Sequence, residues 1–169
     1  TGKVIWSTGN DKSGYASPVA FTLKGKRFLA IFGGKAINIL DPAKGKVLWS
    51  MPWKTSYDVH AADPIIADGQ MFITSDYGTG CALIRLGDKP SVVYTNKEMG
   101  SHFTTPVLVD GYLYGCDGKT GRGRLVCMEM KSGKVAWAKG GVKMAQLIVA
   151  DGKMLVTTHD GHLVTAEVT

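Results

Sequence analysis

A short motif of the form Gly-Lys-Val-x-Trp recurs along the chain and constrains its fold more than any other feature. Copies begin at Gly2, Gly45 and Gly133, and a weaker copy at residues 89–94 has Tyr94 in place of Trp. Consecutive copies are spaced by about 43 residues, which is the length of one four-stranded blade in repeat folds. The spacing predicts an all-β fold, a β-propeller of four-stranded antiparallel blades with four repeats in this chain.

Each repeat contains four short apolar runs that are separated by turn residues. The first run follows a proline in three repeats, at Pro18, Pro64 and Pro106, and proline is tolerated at the start of a strand because no ladder donor is lost there. Asp-Gly pairs between the runs predict tight hairpins. No segment shows helical periodicity over three turns, so we expect no helix. The aromatic residue of each motif is expected to pack between blades, as repeated aromatic side chains commonly do.

The repeats do not match at the two ends of the chain. We assign them to residues 1–16, 17–59, 60–100, 101–140 and 141–169. The first holds only an outer strand and a loop, whereas the last lacks its outer strand. Propellers remove open sheet edges by closing the ring. Three arrangements stay open: a four-blade fragment of a longer propeller, two copies that complete an eight-bladed ring as a homodimer, and one copy that closes as a four-bladed ring.

Charge and hydropathy limit the classes of partner. The 169-residue chain has a net charge of +6, and lysines in the turns before the motif predict one basic face. We interpret them as solvated turn residues, and the alternative is a docking surface for an acidic protein or an anionic membrane. No aromatic residues are interleaved with these lysines, so we expect no nucleic-acid partner. No apolar run is long enough to predict a transmembrane segment.

The three cysteines, Cys81, Cys116 and Cys127, lack the spacing of a zinc site. Cys116 and Cys127 fall on neighbouring strands of one repeat, where a cross-strand disulfide is conceivable. We interpret all three as buried free thiols, because a free cysteine commonly behaves as a small apolar side chain.

Equivalent positions near the start of each inner strand form the candidate ligand site. Four residues before the proline position lie Gly14, His60, His102 and Lys143. Nearer the strand lie Ser17, Asp63, Thr105 and Gln146. We expect both sets around the mouth of a central channel, where one polar group from each blade would converge on a ligand. Two histidines and a lysine favour an anion or a carboxylate. The alternatives are a hydrated channel without a specific ligand and a metal site formed by the histidines with Asp63.

One connection between repeats is apolar and predicts a second kind of site. Trp53 and Tyr57 lie there beside Met51 and Pro52. Exposed aromatic residues are typical anchors of protein interfaces, so these two are candidate protein contacts. The alternative is that they fold inward and cap a blade.

Two segments resemble the repeat of a known family. Residues 40–49, with Leu-Asp-Pro-Ala-Lys-Gly-Lys-Val-Leu-Trp, and residues 125–137 are similar to the repeat of the pyrroloquinoline-quinone (PQQ)-like β-propellers. That family includes quinoprotein dehydrogenases and BamB-like assembly proteins of the bacterial outer membrane. The resemblance implies seven or eight blades in a whole ring and export to the bacterial periplasm.

The dehydrogenases of that family imply a PQQ cofactor with a calcium ion. They use a disulfide between adjacent cysteines, and no two cysteines are adjacent here. Asn96, Glu98, Asp63 and Trp53 are of the right residue types, but no motif joins them, and calcium needs six or more oxygen ligands. We therefore expect a non-catalytic platform for binding or assembly without a cofactor. The alternatives are part of a PQQ- and calcium-dependent dehydrogenase and a self-assembling half-propeller.

Overall fold

A computed structural model describes residues 1–118 and 123–168 of the chain. The described residues form strands and loops without a helix, as the sequence predicted. No helix long and apolar enough to span a membrane occurs in this part of the chain. The strands are β1 (Val19–Leu23), β2 (Lys26–Phe32), β3 (Ala36–Leu40), β4 (Val47–Pro52), β5 (Ile65–Ala67), β6 (Gln70–Ser75), β7 (Gly80–Arg85), β8 (Ser91–Asn96), β9 (Val107–Val109), β10 (Tyr112–Asp117), β11 (Arg124–Glu129), β12 (Val135–Gly140), β13 (Ala145–Ala150), β14 (Lys153–Thr158) and β15 (Leu163–Glu167).

The strands form four antiparallel sheets, each a meander of consecutive strands. Blade 1 contains β1–β4, blade 2 contains β5–β8 and blade 3 contains β9–β12, whereas blade 4 has only the three strands β13–β15. This arrangement confirms the all-β, propeller-like fold.

The hairpins between first and second strands have the predicted turn chemistry. Asp68 and Gly69 both have positive φ, at 49° and 69°, and Asp110 and Gly111 have 47° and 85°. Two consecutive residues with positive φ give the turn whose twist matches that of the flanking strands. Asp and Gly tolerate this conformation better than other residues.

Each complete blade carries a β-bulge at the same place, between its third and fourth strands. The register shifts between Ile39 and Leu40 in blade 1, Leu83 and Ile84 in blade 2, and Cys127 and Met128 in blade 3. A bulge increases local twist. The common position shows that the blades repeat in three dimensions with the period that the motif predicted.

Apolar side chains fill the three interfaces between consecutive blades. In blade 2, Met71 and Ile73 pack with residues of blade 1, whereas Phe72 packs with residues of blade 3. Tyr114 of blade 3 packs in turn with blade 4. Alternate side chains of a strand point to opposite faces. The middle blades are therefore buried on both faces, which explains why their strands read as continuous apolar runs.

Residues 1–6 differ from the expectation of an outer strand. Residues 1–14 form no strand, although Val4 and Ile5 have the apolar pattern of one. A strand needs a neighbouring edge to satisfy its backbone groups, and residues 1–14 pair with no strand.

Candidate binding face

The candidate residues lie on connections that share one end of the blades. Strands of a meander alternate in direction, so connections between blades and connections from second to third strands meet at this end. We call it the loop face. Its described parts are residues 53–64, 97–106 and 141–144 between blades, and residues 33–35, 76–79 and 159–162 within blades.

His60 is fully buried, contrary to the expectation that it projects at a channel mouth. Its ring stacks on Phe32 of blade 1 with centroids 4.4 Å apart. Nε2 lies 3.1 Å from the carbonyl oxygen of Gly34, and Nδ1 lies 2.8 Å from Oγ of Ser75. A carbonyl only accepts, so Nε2 carries the proton and Nδ1 accepts from the Ser75 hydroxyl. Burial lowers the pKa of His60. The neutral imidazole thus joins blades 1 and 2.

Trp53 completes this buried network instead of standing exposed. Its indole Nε1–H donates to Ser75 Oγ over 3.1 Å. The ring packs, partly buried, against the apolar cluster shared by blades 1 and 2. The Ser75 hydroxyl accepts from Trp53 and donates to His60, so one side chain satisfies two neighbours. Trp53 therefore caps the blade interface, which corrects its assignment as an exposed protein contact.

Asp63 and Thr105 hold successive blades together at the start of their inner strands. The backbone N–H of Ser17 donates to Oδ1 of Asp63 over 2.6 Å. The backbone N–H of Asp63 donates to Oγ1 of Thr105 over 2.9 Å. Each side chain thus binds the equivalent backbone of the preceding blade. Ser17, Asp63 and Thr105 therefore lie in a row, as predicted for equivalent positions, and the hydrogen bonds between them link successive blades.

The last members of the two predicted sets lie at the connection to blade 4. Lys143 pairs with Asp160 at 2.7 Å, and this hydrogen bond lowers the pKa of the carboxyl group. Gln146 is exposed at the start of β13. Gly14 lies where an added Cβ would collide with the carbonyl oxygen of Phe32. These positions therefore do not share a single pocket with His60.

Four aromatic rings form a continuous strip on the loop face. Tyr57 contacts Tyr77 and Tyr77 contacts His102, each with centroids 5.0 Å apart, and His102 contacts Phe103 at 3.8 Å. His102 Nε2 also lies 2.9 Å from the hydroxyl of Tyr77. Tyr57 is 71% exposed and Phe103 is 51% exposed. We call these four residues the aromatic strip, and it spans connections of two successive blade junctions.

Ion pairs flank the aromatic strip. Lys12 pairs with Asp58 at 2.9 Å, and this hydrogen bond lowers the pKa of the Asp58 carboxyl. Arg124 pairs with Asp117 at 2.7 Å and with Glu98 at 3.6 Å. The bond to Asp117 raises the pKa of the guanidinium. The rims therefore carry both signs of charge around an apolar centre.

The side chains considered for a calcium-bound quinone do not fit that group. Asn96 Oδ1 accepts from the Cys81 thiol and from the backbone N–H of Glu98, and Nδ2 donates to the carbonyl of Gly133. Asp63 binds the backbone of Ser17. Within residues 1–118 and 123–168 no group of three or more His, Cys, Asp or Glu could hold a metal ion. Oδ1 of Asn96 and Oδ1 of Asp63 are both engaged in hydrogen bonds that link separate elements.

The cysteines are free and buried, as predicted. Burial raises the pKa of the Cys81 thiol to about 12 and also raises the pKa values of Cys116 and Cys127. Thiolates are the reactive form. The three thiols are therefore packing residues.

In two repeats the aromatic residue of the motif packs on the glycine of the next repeat's motif. Tyr94 donates its hydroxyl to the carbonyl of Met130 over 2.8 Å, and its ring lies where an added Cβ on Gly133 would fall. Trp6 Nε1–H donates to the carbonyl of Pro42 over 3.0 Å, with its ring against Gly45. We call this contact the aromatic clasp.

Sequence reasoning missed Phe32, Ser75, Tyr77 and Phe103. Contacts between loops that are far apart in sequence leave no periodic signal. The available signal was the high density of aromatic residues near the connections. Aligning the repeats compares equivalent positions only and therefore does not single out these residues.

No curated protein sequence matches the chain. Among solved structures, the computationally designed Ika4 protein matches with a TM-score of 0.68 and 11% identity, covering 100% of both chains. At this identity the likeness shows the fold alone. The family model described as outer membrane protein assembly factor BamB matches residues 1–139. The chain therefore belongs to the PQQ-like repeat family of outer membrane protein assembly factor BamB.

Proposed function

We propose that the chain is a non-catalytic platform that binds a protein partner through its loop face. The aromatic strip is the observation that carries this proposal. Tyr57 and Phe103 expose apolar ring surface, and their rings pack against Tyr77 and His102, respectively. Ring surface that is already ordered binds at a lower entropic cost than mobile side chains do. Aromatic residues are also typical hot spots of interfaces.

The partner that suits this strip is an extended segment with apolar side chains. Rings in a row can receive alternate side chains of a strand-like peptide, because those side chains point in one direction. The flanking pairs Lys12–Asp58 and Arg124–Asp117 supply a polar rim on either side. The family's description as an outer membrane protein assembly factor supports an assembling protein as the partner.

The test is the binding of fluorescently labelled peptides that alternate aromatic and charged residues, measured by anisotropy. The double variant Tyr57→Ala with Phe103→Ala should raise the dissociation constant about tenfold or more, because a loss of about 1.4 kcal/mol gives that factor. The control Tyr112→Ala alters an exposed tyrosine at the opposite end of blade 3 and should bind as the wild type. Equal binding by the double variant and the wild type would refute the proposal.

Absence of a cofactor stays a prediction with its own test. Adding PQQ with Ca²⁺ should produce no saturable change in the absorbance of the quinone. Stoichiometric saturation would favour a quinoprotein dehydrogenase instead. The contacts that occupy Asn96 and Asp63 support the non-catalytic role.

We also propose that the protein acts in the bacterial periplasm. The support is the family's link to assembly at the outer membrane. Cell fractionation should release the protein with a periplasmic marker on osmotic shock. Retention with a cytoplasmic marker would contradict this location.

A further inference from the structure

Trp49 is the motif aromatic residue of blade 1, but it forms no aromatic clasp with blade 2. It holds the place of Tyr94, because Trp49 pairs with Ile39 as Tyr94 pairs with Leu83, just before the bulge. The Tyr94 hydroxyl and the Trp6 indole each donate to a carbonyl of the turn they clasp. Within the part of the chain that the structure describes, the Trp49 indole N–H makes no such bond. Trp49 therefore keeps an unused donor at the junction between blades 1 and 2.

A lysine in the turn of blade 2 explains the missing clasp. Leu86 corresponds to Met130, because each backbone N–H donates to the glycine carbonyl of the neighbouring hairpin. Three residues after Met130 stands Gly133, on which Tyr94 packs. Three residues after Leu86 stands Lys89. A side chain thus stands where the clasp requires a glycine.

A groove lies at this junction in place of the clasp. Its volume is about 490 Å³, which is in the range of sites that bind small molecules. The rings of Phe21 and Phe28, with centroids 5.4 Å apart, line the groove together with Trp49. These three side chains also pack, partly buried, against the core shared by blades 1 and 2. Aliphatic side chains complete the wall, among them Leu23 and Leu48.

Basic side chains outnumber acidic ones in the segments that border the groove, residues 24–27, 41–46 and 86–90. Six basic residues, against Asp41 and Asp88, give these segments a net charge of +4. Asp41 is engaged within its own turn, where Oδ1 accepts from the backbone N–H of Ala43. Among the described residues, none of the six basic ones forms an ion pair. They are Lys24, Lys26, Arg27, Lys44, Lys46 and Lys89, all of them exposed.

The groove wall has few polar side chains, and these limit the chemistry of a ligand. Trp49 Nε1–H and the Lys26 ammonium are donors, and Asp41 and Asp88 are the acidic groups. A peptide that filled the groove would bury backbone N–H and C=O groups, which need partners. A hydrocarbon chain has no such groups, and its burial against the rings is favourable. The two donors and the positive border suit an anionic group at one end of that chain.

We propose that the groove binds a single-chain anionic amphiphile, of which a long-chain carboxylate is the simplest example. The hydrocarbon chain lies against Phe21, Phe28 and Trp49, and the carboxylate contacts the Lys26 ammonium. Both walls belong to complete four-stranded blades. The groove opens at the end of the blades opposite to the loop face. The site is therefore separate from the aromatic strip and does not depend on the protein partner proposed above.

Isothermal titration calorimetry with sodium dodecanoate, kept below its micelle concentration, tests the site. The wild-type chain should bind it saturably, and Lys26→Glu should raise the dissociation constant about tenfold or more, because a like charge then meets the carboxylate. The control Lys153→Glu makes the same change of charge at an exposed position of blade 4 and should bind as the wild type. The absence of saturable heat overturns the proposal, and so does an equal effect of the two substitutions.

A second variant tests the groove without changing its charge. Gly87 lines the groove, and no atom lies within 4 Å of its added Cβ, so Gly87→Phe should fill the space and leave the fold intact. Dodecanoate binding should be lost. The control Gly140→Phe has an equally open Cβ at the end of β12, and circular dichroism checks both variants. Binding that survives Gly87→Phe overturns the proposal.

Vesicles of phosphatidylglycerol distinguish a single bound molecule from a membrane surface. A flat bilayer would contact the basic segments but could not enter the groove. Dodecanoate binding without cosedimentation of protein and vesicles supports a single bound molecule. Cosedimentation that Lys26→Glu weakens and Gly87→Phe leaves unchanged, with no binding of dodecanoate, would show a membrane contact instead and overturn the groove site.

Discussion

Replacing Gly133 by alanine should destabilise the fold through two separable costs. Gly133 has a φ of +68°, and a residue with a Cβ loses about 1–2 kcal/mol of conformational free energy in this region. Its added Cβ would also lie 2.5 Å from Asn96 Nδ2 and 2.8 Å from Tyr94 Cε2. Overpacking of this kind costs about 1–3 kcal/mol. The free energy of unfolding should therefore fall by about 2–5 kcal/mol.

Gly152 offers a matched control because its φ is also +68° but no atom lies within 4 Å of its added Cβ. Gly152→Ala should cost only the conformational part, about 1–2 kcal/mol. Urea unfolding followed by tryptophan fluorescence and circular dichroism gives both values. The difference between the two variants measures the collision of the added Cβ with Tyr94 and Asn96 together.

A double variant identifies the colliding side chain. Tyr94→Ala removes the ring but leaves Asn96 Nδ2 beside the added Cβ, so Gly133→Ala should cost less in this background than in the wild type and still more than Gly152→Ala. The coupling energy between Tyr94→Ala and Gly133→Ala should be about 0.5–3 kcal/mol. If Gly133→Ala is no worse than Gly152→Ala in the wild type, Tyr94 does not rest on Gly133, and the aromatic clasp is wrong.

Three further outcomes are expected. The unfolded chain binds a proton at His60 below about pH 6.5, while the lowered pKa keeps the folded imidazole neutral, so acid should cost up to about 1.4 kcal/mol per pH unit below 6.5. His60→Gln should flatten that slope in urea unfolding at pH 7.5 and 5.5, and an unchanged slope would contradict it. Thr105→Val leaves the Asp63 N–H without its acceptor and should cost about 1 kcal/mol, whereas Thr157→Val at an exposed position should cost almost nothing. Iodoacetamide at pH 8 should label the buried thiols only after denaturation, as mass spectrometry can show, and rapid labelling of the native chain would disagree.

The fold could be predicted because its signals are local. Strand alternation, the Asp68-Gly69 type of turn and the spacing of the motif all act within a single repeat. The packing role of the aromatic residues also followed from repetition. The residue on which each aromatic side chain packs did not follow from repetition, although the motif contains both members of the aromatic clasp. Tyr94 lies on Gly133, one repeat further along.

The termini show where local signals fail. The sequence of residues 2–6 favours a strand as strongly as that of β4 does, yet residues 1–14 form none. Strand propensity depends on a neighbouring edge more than on the residue itself. The pattern of Val4 and Ile5 therefore predicts a requirement for pairing, and the pairing partner decides whether the strand exists.

Equivalent positions in a repeat need not share a role, and the two histidines show why. His60 stacks on Phe32, whereas the equivalent of Phe32 in the next blade is Thr74. Thr74 offers no ring, and its hydroxyl already bonds Met99 and Ser101. Ser75, whose hydroxyl donates to His60, is likewise replaced in the next repeat by Asp117, and the Asp117 carboxylate accepts a hydrogen bond from Arg124. His102 thus has different neighbours from His60 and contacts Tyr77 in the aromatic strip. Residues of the adjacent blades decide whether a histidine links the blades or joins the binding face. An alignment of the repeats does not show which residues those are.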